Sequence, residues 1–175
     1  MAEVTGGDKL AEAMAALRDR VLSAQEVRVG FLEGASYPDG DLNVPTVAAI
    51  NNFGAPEAGI PARPFFTDMV LRCSPEWGEK FAVVLQSTDY DVKAALELMG
   101  VGMSDQLRTE IIGFDSVPNS PVTDLLKERF PTGVGVKFDD VQQARIDVAN
   151  GEVAAPGKPL VWSGQMLSSV ASEVE

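Results

Sequence analysis

The sequence contains no histidine and a single cysteine, Cys73, among its 175 residues. Without histidine, the chain lacks the commonest general base and the side chain that most often changes charge near neutral pH. A lone cysteine excludes a disulfide within the chain, and structural zinc sites need more cysteine and histidine than are present. We therefore expect no bound metal and no cofactor. We also expect no enzymatic activity, although the residues alone leave carboxylate or lysine chemistry open.

Basic residues are also scarce. Lysine and arginine number 14 against 26 aspartates and glutamates, so the formal net charge is −12 and the sequence pI is near 4.4. This balance argues against a surface that grips nucleic-acid phosphates or an anionic membrane. DNA can still slide past such a surface without sticking to it. The sequence shows no secretory signal and no apolar run long enough to cross a bilayer.

Otherwise the composition is ordinary for a folded protein, with 45% apolar and 23% charged residues. A chain of 175 residues can bury a core of its own, and we expect one domain over 1–175. Residues 131–157 show no clear helical or strand periodicity. They are predicted to form a surface excursion, either a hairpin with a strand over 134–138 or a helix with loops that ends near Val148 before the Asn150-Gly151 turn.

The first helix is predicted over 9–23, with Asp8 as its N-cap. Its apolar residues recur at helical spacing on one face, which favours burial in the core of the same chain. A helix that binds a partner has the same pattern. The residues of this stripe are Leu10, Met14, Leu17 and Val21.

Two alternating segments predict strands, one over 25–32 and one at the end of the chain from Val170 to Glu175. We expect these two to pair with each other. Six further helices are predicted: 44–52, 67–73, a fresh start at Ser74-Pro75 that runs to about 86, a long helix from Thr88 or Asp89 to 112, 122–130 opened by Pro121, and 164–168 capped by Ser163. The predicted fold is α+β, with a small antiparallel sheet packed against helices.

The most distinctive stretch is residues 60–64, Ile-Pro-Ala-Arg-Pro, which we call the strap. Its two prolines fix their own φ and hold the residue before each in an extended conformation. Phe65 and Phe66 follow directly. The residues alone leave two interpretations open: Phe65 and Phe66 fill the core while Arg63 forms a local ion pair, or the segment from Phe53 to Phe65 clamps a neighbouring subunit through Arg63.

The order of several motifs resembles a known family. VRVGFLEGASYPDG, VAAINNFG, IPARPFF, NSPVT and KPLVWSGQMLSSVASEVE follow one another from Val27 to Glu175. This order is similar to that of small tailed-bacteriophage virion proteins at the head–tail junction, the tail-completion or neck proteins of long-tailed phages. Members usually carry Asp-Thr-Gly where this chain has Trp162-Ser163-Gly164.

The resemblance implies a non-enzymatic structural protein of the virion, assembled in the host cytoplasm. It would form a homo-oligomeric, sixfold ring that caps the tail tube or couples it to the neck. Its partners would be neck, connector and tail-tube proteins, with DNA passing through unbound and no membrane contact. The expected subunit interface comprises Tyr37, Phe53, Gly54, Ile60, Pro61, Arg63, Pro64, Phe65, Phe66 and Trp162, together with the loop 33–42.

Two alternatives stay open from the residues. The first is a hydrolase that uses carboxylates such as Asp39 or Asp41, which requires a concave pocket holding two acids of raised pKa. The second is a cytoplasmic assembly chaperone or binding module that is absent from the finished particle.

Overall fold

A computed structural model describes residues 7–22, 24, 26–31, 34–37 and 43–175. In this part of the chain, seven α-helices surround a two-stranded sheet. The helices are α1 (Gly7–Val21), α2 (Val44–Phe53), α3 (Phe65–Ser87), α4 (Val92–Gly113), α5 (Pro121–Arg129), α6 (Phe138–Ala149) and α7 (Gln165–Ser168), and the strands are β1 (Val27–Phe31) and β2 (Val170–Val174). The predicted α+β class is confirmed.

The first and last strands pair as predicted. They are antiparallel, with Val27 opposite Val174 and Phe31 opposite Val170. The sheet lies against α4 at Gly100, where an added Cβ would come within 2.7 Å of the Ser172 hydroxyl. Glycine at this position, which lowers helix propensity, therefore allows the sheet and the helix to approach closely.

The main core lies between the sheet and helices α2, α3, α4 and α7. Its largest fully buried side chains are Phe65, Met69, Leu107, Ile111, Val44 and Val170. The rings of Phe31 and Phe65 meet edge to face, with centroids 6.3 Å apart. A second, smaller core lies between α5 and α6 and contains Leu125, Leu126 and Ala144.

Helix α1 contradicts the prediction that it faces the core. Every residue from 8 to 22 is exposed, and the predicted stripe is 41–65% accessible. Asp8 lies inside the helix and does not cap it. Arg20 attaches α1 to the turn after α3 by donating to the Asp89 carbonyl and carboxylate, at 2.9 and 2.6 Å. Periodicity locates an apolar face but does not say what covers it.

The predicted break at Ser74-Pro75 is also wrong, because α3 continues through Pro75. Proline removes one N–H, which leaves the Leu71 carbonyl without its helical donor. Leu71 is 70% exposed, so this carbonyl faces the solvent side of the helix, where water can replace the donor. The long helix starts later than predicted, at Val92, with Asp91 capping it through the Ala94 amide at 3.0 Å.

Residues 131–157 form a helix with loops, one of the two predicted options, and no strand occurs over 134–138. Gly133 and Gly135 both have positive φ, 71° and 78°, and turn the chain before α6. Asp140 accepts from the Lys137 amide at 2.8 Å, and the Asn150-Gly151 turn follows the helix as predicted. Because Ala144 of α6 is fully buried against α5, this segment contributes to a core and is not only a surface excursion.

Candidate functional site

The strap is held against α2 by backbone groups. The Arg63 amide donates to the Asn51 carbonyl at 2.7 Å. Ala55 and Ile60 form an isolated antiparallel bridge, which closes a tight loop around a 3-10 turn, Pro56–Ala58. At Gly54 a Cβ would lie 2.8 Å from the Ala62 amide nitrogen, so only glycine permits this approach.

Asn52 joins α2 to the start of α3. It is 5% exposed, and its carbonyl oxygen accepts from the amides of Phe66 and Thr67 at 3.0 and 3.2 Å. Its side-chain amide donates to the Thr67 hydroxyl at 2.9 Å. The position before α3 is Pro64, whose side chain offers no acceptor, so Asn52 supplies the missing cap from another helix.

The exposed side of the strap forms one wall of an open cleft of about 990 Å³. The opposite walls come from the start of α5 and from the segment before α7. Five of the ten residues predicted for a subunit interface line this cleft, namely Tyr37, Ile60, Pro61, Arg63 and Trp162. Burial raises the pKa of the Tyr37 phenol.

Arg63 points into the cleft and binds neutral groups of its own chain. Its guanidinium donates to the carbonyls of Val117 and Pro118, each at 3.2 Å, and lies 3.5 Å from the Asn51 side-chain oxygen. Among the described residues it forms no ion pair, so the local ion pair considered from the sequence is not found there. Partial burial lowers the pKa of Arg63.

Lys127 is a second cation of the cleft, which the sequence did not predict. Its amine donates to the carbonyls of Lys158 and Val161, at 2.5 and 3.0 Å. Burial lowers the pKa of Lys127 and the charge of Arg63 lowers it further, against an opposing effect of Asp124. The only sequence signal for this contact was the Lys158-Pro159-Leu160-Val161 motif, whose carbonyls receive the amine.

Trp162 joins the cleft to the second core. Its indole nitrogen donates to the Phe130 carbonyl at 2.6 Å, and its ring lies beside Gly133. Gln165 completes the same wall by donating to the Ser36 carbonyl at 3.2 Å. The cleft thus combines apolar and aromatic surface with two half-buried cations.

The other five predicted interface residues do not line the cleft, and they differ in burial. Phe53 is 73% exposed at the end of α2, beside the strap. Gly54 and Pro64 are half-buried. Gly54 permits the close approach of the strap, and Pro64 directly precedes α3. Phe65 is fully buried in the main core, so its side chain is not available to another subunit and the interface prediction is corrected for it. Phe66 is half-buried and packs against the same core.

Two sequence predictions fall on residues outside the described ranges. Asp39 and Asp41, considered as hydrolytic carboxylates, are not described, and neither is most of the loop 33–42. No group of three or more potential metal ligands occurs among the described residues. In the same ranges, none of the helices has the length and hydropathy to cross a membrane.

No family model, curated protein or solved structure matches this chain.

Proposed function

We propose that this protein is a structural subunit of the head–tail junction of a tailed phage, a tail-completion or neck protein. In this proposal it assembles into a ring of identical chains that caps the tail tube or couples it to the neck. The observation that carries the proposal is apolar surface left uncovered on α1 and at Phe53, in a subunit that also has a cation-bearing cleft. This arrangement fits association with other chains better than it fits chemistry.

Two regions supply that surface. Helix α1 leaves its whole apolar stripe accessible, with Leu10 and Met14 at 65% and 60%. Phe53 leaves its ring accessible next to the strap. Exposed apolar side chains that cluster on one element are typical of a protein–protein contact.

The net charge of −12 is consistent with a ring through which DNA passes. Like charges repel, so an acidic wall offers phosphates no strong binding site, and DNA can move past it. Specific DNA binding is therefore not part of the proposal.

The substitution Arg63→Ala tests the proposal at the strap. Losing two hydrogen bonds to carbonyls should lower the free energy of unfolding by only about 1–2 kcal/mol, because the backbone contacts of the strap stay in place. Ring assembly, measured by native mass spectrometry or sedimentation velocity, should fall strongly. Arg145→Ala, which removes an exposed cation from α6, is the matched control and should assemble like the wild type.

A transient assembly factor is a second candidate, favoured by the same exposed stripe of α1, which a temporary partner would cover equally well. Mass spectrometry of purified virions separates the two functions. A structural subunit is retained in the particle in a fixed copy number, whereas an assembly factor is absent from it.

A further inference from the structure

Resting on the ring assembly proposed above, we infer that the Arg63–Lys127 cleft of one subunit binds the acidic strand end of the next copy of this chain. The acidic strand end comprises Glu26, Glu173 and Glu175, at the edge of the sheet. The inference identifies which two surfaces of the subunit meet.

The cleft is suited to a carboxylate. Arg63 and Lys127 are both partly buried and both bind only backbone carbonyls or amide oxygens of the described chain. Neither cation forms an ion pair among the described residues, although the Asp124 carboxylate acts on Lys127 against the effect of burial on its pKa. An arriving carboxylate would gain charge-assisted hydrogen bonds with both cations in a partly desolvated site, where such bonds are strongest.

The walls around the two cations fit a peptide more closely than a free anion. Ile60, Pro61 and Trp162 contribute apolar surface, and an opening of about 990 Å³ admits several side chains. A segment with carboxylates and small apolar residues in alternation would satisfy both features. At the end of strand β2 the partly accessible Val174 lies between Glu173 and Glu175, whereas Val170 is buried in the main core of its own subunit.

The acidic strand end is a concentrated negative surface. Glu26, Glu173 and Glu175 lie around a single guanidinium, Arg28, at 2.6, 3.9 and 2.9 Å. Three carboxylates against one cation leave a local charge of 1 − 3 = −2. All three side chains are about half accessible, at 52%, 47% and 54%. The strand end can therefore accept a second cation without breaking its contact to Arg28.

The two surfaces lie at opposite ends of the sheet. The cleft borders Tyr37 and Met166, which follow and precede the Phe31–Val170 end of the strand pair. The acids lie at the other end, where Val27 pairs with Val174 and Glu173 lies opposite Arg28, about 14 Å away at roughly 3.4 Å per residue. Two different, complementary surfaces at opposite ends of a subunit form a head-to-tail contact, the type that closes into a ring.

Zero-length cross-linking of the wild-type chain tests the contact directly. A carbodiimide joins an amine to a carboxylate only when they already touch. In an equal mixture of nitrogen-14 and nitrogen-15 chains, we expect an amide between Lys127 and Glu173 or Glu175 that carries both isotopes. A ring in which Lys127 forms no such link to either glutamate overturns the inference and leaves the proposed function standing.

A charge reversal gives an independent measurement. Glu173→Lys changes an exposed side chain and should weaken association more than tenfold, with its melting temperature close to that of the wild type. Glu79→Lys, which reverses an exposed acid on α3, should change association less than twofold. Equal association of the two variants overturns the inference. A wild-type chain that remains monomeric at high concentration contradicts the proposed function as well, so the two failures are distinguishable.

Discussion

Helix α1 and the strap have opposite relations to the rest of the molecule. Helix α1 has a regular apolar stripe, yet every residue from 8 to 22 is exposed. The segment that follows the strap was expected to reach a neighbour, yet Phe65 lies fully buried in the core. The comparison shows that a sequence pattern locates apolar surface, whereas the number of local contacts determines whether the chain itself covers that surface.

The strap has those local contacts. The Arg63 amide donates to the Asn51 carbonyl, and Asn52 caps the start of α3 directly after the strap. Gly54 allows the backbone of the strap to approach closely. Helix α1 has an exposed ion pair to Asp89, and such pairs add little to stability. The strap should therefore respond to substitution as part of the core, and α1 as a surface element.

The largest expected effect is at Gly54. Gly54→Ala would place a methyl group 2.8 Å from the Ala62 nitrogen, at a φ of 76° and ψ of 172° that only glycine adopts readily. We expect a loss of about 3–4 kcal/mol in the free energy of unfolding, measured by urea denaturation. Gly59→Ala is the matched control, because its Cβ meets no atom within 4 Å. It should lose only about 1–2 kcal/mol from its left-handed conformation. Equal losses would contradict a tightly packed strap.

The next effect is at the cap provided by Asn52. Asn52→Ala removes three hydrogen bonds from a buried position and leaves the first amides of α3 without an acceptor. We expect a loss of about 2–3 kcal/mol by thermal or urea unfolding. Asn43→Ala, which removes a single exposed cap bond to the Thr46 amide, should lose about 1 kcal/mol. A smaller loss at Asn52 than at Asn43 would be inconsistent with its role at the junction of α2 and α3.

The smallest effect on stability should come from α1. Replacing Leu10 and Met14 together by glutamine keeps helix propensity similar and removes apolar side chains that are already exposed. The free energy of unfolding should change by less than about 0.5 kcal/mol. Association of the chain, followed by sedimentation velocity, should decrease. A clear loss of stability would show that this face is covered within the monomer.

The sequence predicted the elements that local chemistry determines. The strand pair, the helix opened by Pro121 and the end of the long helix, predicted at 112 and observed at Gly113, follow from local sequence signals, and the structure has all three. The sequence did not predict that α3 continues through Pro75, because that depends on solvent access to one carbonyl. It did not predict Lys127 at the cleft either, since its partners Lys158 and Val161 are more than thirty residues away along the chain.

For the candidate site, the stiff geometry of the strap could be predicted from its prolines, and five of the ten proposed residues do meet at one cleft. Core filling by Phe65 and Phe66 was one of two interpretations of the residues. The sequence could not decide between them, because consecutive aromatics at a helix start point in directions set by the helix itself. Once α3 begins at Phe65, its first side chain turns inward against Phe31.

Photo-cross-linking from position 53 tests most directly whether the strap region is a joint between chains. A benzophenone analogue of phenylalanine replaces Phe53, which is 73% exposed and absent from the core. After irradiation of the assembled protein, we predict a covalent dimer whose link maps to a second copy of the chain. Irradiation that yields only linear monomer, at concentrations where the protein is assembled, would contradict the account.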